Sequence, residues 1–383
     1  MKENMKKQYP LFDIYWDDKD IESVSNVIKR GSYWAIGPEI QEFEENLGEY
    51  LGIDYVVTFN SGTSALHALL LAYDITNGEV IVPSMSFIST ANCVILAGAK
   101  PVFADIENET LALDPKDVQK KINKKTKAII PMHYGGKVCK NIEILRDIAD
   151  DNNIILIEDN AESFGATING KYTGAIGHAG MLSFCQNKII TTGEGGAICT
   201  NDKNIYEKLL LIRSHGRVEQ PGTNYFSNIN EMDYIQVGYN YRMPTMCAAL
   251  GLSQLGKIEE IINLRRKIGK FYDKELEKVA NVHILPDLQN NRNVYQLYTL
   301  LLENPNNRKE LQEYLLERNI ITKIYFFPIH LKTFYKKKFG YDIGTLPVTE
   351  EISKKVLTLP FSLRFMEEDQ MFIINSIKDF YST

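Results

Sequence analysis

Cysteine is scarce and unpatterned. Five residues, Cys93, Cys139, Cys185, Cys199 and Cys247, stand apart with no CxxC or CxxH spacing. That excludes a disulfide framework and a spaced zinc site, and it suits a reducing, cytoplasmic compartment. Long apolar runs are missing too. None approaches bilayer-spanning length, and no apolar h-region follows the basic opening MKENMKKQYPLF, so neither a membrane segment nor a signal peptide is expected. Charge of one sign is nowhere concentrated. A net charge of −6 without long blocks argues against nucleic acid as the main partner, because phosphate binding needs clustered Lys and Arg. The short stretch KTFYKKK (332–338) reads as a solvated helix face, and no internal repeat or low-complexity linker interrupts the chain.

What is present is an alternation. With 383 residues the chain can bury a sizeable core and divide into two unequal domains, placed at 1–250 and 251–383. A helix is expected after Asp17-Asp18, with Ile21, Val24 and Ile28 on one face, ending at Gly31. A second begins at Gly37-Pro38 and repeats Ile40, Phe43, Leu47 and Leu51. Short β-branched runs then appear at 55–59, 80–84, 101–106, 128–133 and 154–159, separated by helical patterns such as 63–73 and 139–151. Strands apolar on both faces, alternating with helices, imply an α/β fold with a buried, mostly parallel sheet sandwiched by helices. Further strands are expected at 180–186 and 196–201, and one long helix over 248–279 leads to a smaller α+β domain. In that domain 294–303 and 321–327 read as strands around a helix at 307–318.

The stretch SFCQNKIITTGEGGAICTND (183–202) places one lysine, Lys188, between an apolar approach and a glycine cluster. A hairpin with a solvated lysine would look the same; so would an amine that holds an aldehyde cofactor covalently. Other stretches supply matching parts. NSGTSAL (60–66), between a strand and a helix, offers Gly62, Thr63 and Ser64 as an anion cradle at the positive helix end, although taken alone the stretch reads more readily as an ordinary Ser/Thr N-cap. Asp159 ends a central strand, where ligands bind in such folds, and a carboxylate there could keep a pyridine nitrogen protonated; it could also cap the next helix. Phe87, in SMSFISTAN, could stack on a planar ring or join the core. His133 could face a substrate or be a satisfied strand-end histidine, and His67 reads as structural.

Together NSGTSALH, EDNAESFGA (158–166), SFCQNKIITTGEGG, RSHGR (213–217) and GYNYRM (238–243) resemble the motifs of the DegT/StrS-type sugar aminotransferases. These are fold-type I pyridoxal phosphate enzymes acting on nucleotide-linked keto-sugars. The resemblance covers nearly the whole chain, and SF-x3-K-x2-TTGEGG is its most specific part. It implies that Lys188 holds the cofactor and moves the proton, that Asp159 pairs with the ring nitrogen, and that Glu162 (commonly Gln in relatives) lies on the ring-hydroxyl side. Phe87 would stack on the ring, and Gly62, Thr63, Ser64 and Ser183 would hold the phosphate, joined by Asn240 from the partner subunit of a homodimer. Tyr325 and His330 would line the sugar side, and Arg213, Arg217 and Arg242 are candidates for the substrate's anionic groups. A dehydratase branch replaces the lysine with His; this chain keeps Lys188, so transamination from glutamate to C4 of a 4-keto-6-deoxyhexose is the expected chemistry. A 3-amino-sugar or cyclitol aminotransferase, or a non-catalytic regulator on the same fold, are the alternatives.

Overall fold

The computed structural model describes residues 7–218 and 233–382, so the opening six residues of the basic N-terminal stretch lie outside it. In chain order the strands are β1 (Tyr55–Phe59), β2 (Glu79–Pro83), β3 (Lys100–Ala104), β4 (Thr126–Ile129), β5 (Ile155–Asp159), β6 (Thr167–Ile168) and β7 (Lys171–Tyr172). They continue as β8 (Ala179–Ser183), β9 (Gly196–Thr200), β10 (Val282–Ile284), β11 (Asn291–Arg292), β12 (Tyr298–Leu302) and β13 (Val356–Leu359). The main sheet runs β1-β9-β8-β5-β4-β2-β3. Its β2–β3, β2–β4, β4–β5 and β5–β8 pairs are parallel, while β9 is inserted antiparallel between β1 and β8. The expected mostly parallel α/β sheet is therefore present.

Strand alternation builds two cores, one on each face. Val56, Ile81, Ile129, Leu156 and Leu182 point to one side, and Val57, Val80, Ile157, Met181 and Ile198 to the other. Helix α1 (Asp18–Arg30) starts on the Asp17 side chain, which accepts from the Lys19 and Asp20 N–H groups, and ends at Gly31 with φ 71°. Helix α2 (Pro38–Leu51) buries Ile40, Phe43, Leu47 and Leu51, the repeat read from the sequence; each such side chain contributes about 1.5–3 kcal/mol of transfer free energy. Helices α3 (Gly62–Ala72) and α4 (Ile88–Leu96) pack side by side. They are followed by α5 (Pro115–Lys121), α6 (Ile142–Asp151) and α7 (Lys203–Arg213).

The structure corrects three readings. The long helix expected over 248–279 is two, α8 (Thr245–Leu255) and α9 (Ile258–Leu276), because Lys257 leaves helical geometry at φ −120° and ψ 12°. Its amine is drawn to Asp17 (2.6 Å) and Asp20 (2.9 Å), which ties the break to α1. The boundary placed at 250/251 falls inside α8, a helix that packs against α1 and α2. Second, the apolar face expected for α1 is not its buried face: Ile21 is 54% and Ile28 48% exposed, while Asp20 and Val27 pack inward. Third, residues 321–327 make no strand; Lys323 only bridges Thr358.

The C-terminal part is an antiparallel β10-β12-β13 sheet with its own core of residues such as Tyr272, Leu300, Leu311, Leu357 and Ile374. Around it lie α10 (Asn307–Leu316), α12 (Pro347–Lys355) and α13 (Glu367–Ser382), whereas α11 (Thr333–Phe339) packs its Tyr335 against Phe103 in the core of the main sheet. Among the described residues no helix is long and apolar enough to cross a membrane.

Candidate active site

The register of the sheet gathers the candidate residues at one edge. Phe59 and Ser183 both pair with Gly196, so the C-terminal ends of β1 and β8 lie side by side. In parallel alignment with β8, the ends of β5, β4 and β2 present Asp159, His133 and the 84–87 segment. The carboxyl edge of such a sheet is where ligands bind.

The cradle follows from close packing. An added Cβ at Gly196 would sit 2.5 Å from the Gly62 nitrogen, so only glycine lets β9 press against the start of α3. One at Gly62 would sit 3.1 Å from Ser183 Cβ and 3.4 Å from its Oγ. Gly62 and Ser183 are thus brought together, with exposed Thr63 beside them. The sequence missed one residue here. Ser61 is the N-cap, and its Oγ accepts the Ser64 N–H at 3.1 Å and meets Ser64 Oγ at 2.9 Å. The Ser64 N–H is consequently taken, while those of Gly62 and Thr63 precede the capped turn.

Adjacent acids on β5 divide their work because neighbouring strand residues point to opposite faces. Glu158 turns away from the edge. It accepts from His133 Nε2 (2.9 Å) and from the N–H groups of Gly174 (2.9 Å), Ile176 (2.7 Å) and Gly177 (2.6 Å). The other nitrogen of His133, Nδ1, accepts from the Cys139 N–H at 3.0 Å, so His133 is a satisfied, buried histidine. Asp159 faces the edge. Its Oδ2 accepts from Thr90 Oγ1 at 2.7 Å and its Oδ1 from the Ala161 N–H at 3.2 Å. Burial raises its carboxyl above the ordinary value, opposed by those bonds and by the Lys188 charge.

Glu162 is also buried and accepts the Gly135 N–H at 2.9 Å; burial raises it, and the Lys188 charge opposes this. Lys188 therefore stands in the field of both carboxylates. Among the described residues no hydrogen bond or salt bridge engages its amine. The carbonyl of Asn187 accepts from Gln296, which ties the lysine loop to the chain leading into β12. Tyr325 adjoins the same group: burial, and then Glu162 and Cys185, push its phenol up to about 12.

Phe87 begins α4 and is 60% exposed, as a stacking surface must be. Asn240 is exposed, and its carbonyl faces Asn60 Nδ2 at 3.5 Å, so GYNYRM abuts the loop leading into the cradle. Other expectations fail. His330 does not line a sugar site: it is fully buried, with Nδ1 against Ser84 Oγ at 2.7 Å and Nε2 against Glu350 at 3.2 Å. Arg213 is buried against Glu44 and the Thr58 carbonyl, and Arg217 is buried too, so neither presents an open guanidinium. Arg242 is half-buried and donates to Ser214 Oγ at 3.1 Å. His67 meets Tyr241 through Nδ1 at 3.1 Å, the structural role expected.

An amine in the field of two buried carboxylates, on the chain that leaves β8 where Ser183 meets the glycine-lined start of α3, is a donor set that suits a phosphorylated pyridine aldehyde. The DegT/DnrJ/EryC1/StrS aminotransferase family model matches residues 15–378. The chain belongs to this family. It is a sugar aminotransferase that uses pyridoxal phosphate. It is 34% identical over 377 residues to the GDP-perosamine synthase of Escherichia coli O157:H7, covering 98% of this chain and 99% of that one. The UDP-4-amino-4,6-dideoxy-N-acetyl-beta-L-altrosamine transaminase of Campylobacter jejuni is 32% identical, with 94% of each chain covered. Helicobacter pylori PseC, an aminotransferase involved in pseudoaminic acid biosynthesis, superposes with a TM-score of 0.90 at 29% identity, over 98% of this chain and all of that one (100%).

Proposed function

We propose that this aminotransferase moves an amino group from glutamate to C4 of a nucleotide-linked 4-keto-6-deoxyhexose, for amino-sugar and surface-polysaccharide biosynthesis. The observation that carries the reading is the Lys188 amine, engaged by no hydrogen bond or salt bridge among the described residues, in the field of buried Asp159 and Glu162. Lys188 holds the cofactor and, once displaced, takes and returns a proton at the reacting carbon. Asp159 holds a cationic ring nitrogen by a charge-assisted bond, and Glu162 lies on the ring-hydroxyl side. Gly62, Thr63, Ser64 and Ser183 bind the phosphate, through the open N–H groups of α3 and the hydroxyls; Phe87 covers the ring. Pyridoxal phosphate, when bound, supplies the electron sink that makes that proton removable. Tyr325 and Arg242 contact the nucleotide-sugar.

The C4 assignment is supported by the UDP-4-amino-4,6-dideoxy sugar in the name of the Campylobacter relative and by the nucleotide-linked compounds that both curated relatives carry in their names. The acting form is a homodimer in which Asn240 serves the partner's site. The exposed apolar side chains of Trp16 (52%), Ile21 (54%) and Trp34 (48%) offer a surface for association. The test equilibrates holoenzyme with glutamate, removes the amino acid, and adds UDP-, dTDP- and GDP-linked 4-keto-6-deoxyhexoses separately. At least one should give a 4-amino sugar by NMR. Acceptance of only a 3-keto sugar or a cyclitol ketone would overturn the C4 assignment, and acceptance of none would overturn the acceptor class.

A further inference from the structure

We propose that Thr90 is a positioning residue for the reaction, holding the Asp159 carboxylate ionised and aimed for the cofactor. This rests on the assignment of Asp159 to the ring nitrogen. Thr90 lies in the first turn of α4, where its N–H donates to the Phe87 carbonyl at 3.2 Å. The turn that presents Phe87 to the site therefore also sets Thr90. Its side chain is fully buried, and its hydroxyl donates to Asp159 Oδ2 at 2.7 Å. An ionised carboxylate can only accept, so the Thr90 proton points to Asp159; the buried Ser86 Oγ lies 2.9 Å from the Thr90 oxygen and 3.1 Å from Met132 Sδ, and its one proton is shared between those two acceptors.

A carboxylate has about four acceptor positions. Thr90 and the Ala161 N–H fill one on each oxygen and leave the others for a cationic donor. The titratable groups around Asp159 are Lys188, His133, Glu162 and Cys93. Burial favours the protonated acid, and the Thr90 bond is the largest opposing influence. A protonated Asp159 cannot hold a cationic ring nitrogen. Removing the Thr90 hydroxyl must therefore move Asp159 protonation to higher pH, and cofactor affinity must fail earlier as pH falls.

The experiment dialyses wild-type, Thr90→Val, Thr90→Ser and Asp159→Asn holoenzymes between about pH 5 and pH 9 and measures the cofactor dissociation constant. Thr90→Val keeps the volume and loses the donor. Its affinity profile should move up by about one pH unit, so that on the acid limb the constant rises about tenfold while on the alkaline side it stays within about threefold of wild type. Thr90→Ser should restore the wild-type profile. Asp159→Asn should weaken binding at every pH and flatten the profile. If Asp159→Asn weakens binding but Thr90→Val keeps the wild-type profile, or weakens binding equally at all pH, the Thr90 inference is wrong while the Asp159 assignment stands. If Asp159→Asn binds as wild type does, the assignment itself falls and Thr90 with it.

Discussion

Glu158→Gln tests the division of labour on β5 most sharply, because the change is nearly isosteric and adds no volume. The Glu158 carboxylate accepts four bonds in two pairs: Oε1 from Ile176 and Gly177, Oε2 from Gly174 and His133. A glutamine amide keeps one oxygen and presents an NH2 where the other stood. Whichever way it turns, two donors lose their acceptor and meet a donor instead. All four sit in buried or nearly buried surroundings at a fully buried side chain, where water cannot substitute. A buried unsatisfied donor costs about 1–3 kcal/mol, so the loss should be about 2–6 kcal/mol. That is a large part of the ~5–15 kcal/mol by which folded domains are stable. The assay is urea unfolding of the full chain followed by circular dichroism, read as a shift in midpoint at unchanged slope. The cofactor should still bind to the fraction that remains folded, because Glu158 faces away from the site. A shift below about 1 kcal/mol, or full stability with lost cofactor binding, would refute the structural role argued for Glu158.

Lys188→Ala should abolish borohydride-dependent attachment of the cofactor to the peptide containing residue 188 and lower transamination at least about a hundredfold; retention of both attachment and turnover would sink the assignment. Mixing Lys188→Ala and Asn240→Ala protomers in equal amounts should return about a quarter of wild-type activity, since half the dimers are hybrids and each hybrid has one intact site. No recovery with hybrid dimers verified by native mass spectrometry would mean that each subunit carries a self-contained site.

The legibility of the chain follows the range of the forces involved. The apolar repeat Ile40, Phe43, Leu47 and Leu51 is local, and helix α2 buries all four. The strands read from β-branched runs lie within a residue or two of their places at one end at least, because a sheet buried on both faces demands such runs. Failures came where a distant partner decided. Nothing local to 248–279 says that Lys257 will turn aside toward Asp17 and Asp20, nor that Ile21 and Ile28 will stay exposed while Asp20 goes inward to Lys257 and Gln254.

For the candidate site, residue types and order along the chain were enough to group Lys188, Asp159, Gly62 and Ser183, since a Gly-rich close approach and a strand-end acid leave marks in sequence. The sequence by itself determined the α/β class and the family resemblance, and that resemblance pointed to the amine and the carboxylates proposed for the site. Only the tertiary structure decided which partners each acid of the Glu158-Asp159 pair takes, that Thr90, 69 residues away in the chain, joins the local Ala161 N–H in bonding Asp159, and that His330, Arg213 and Arg217 are buried rather than facing a sugar. The reason is physical: a side chain's type is encoded at its own position, but its partner, its burial and hence its chemistry are set by residues that only folding brings within 3 Å or so.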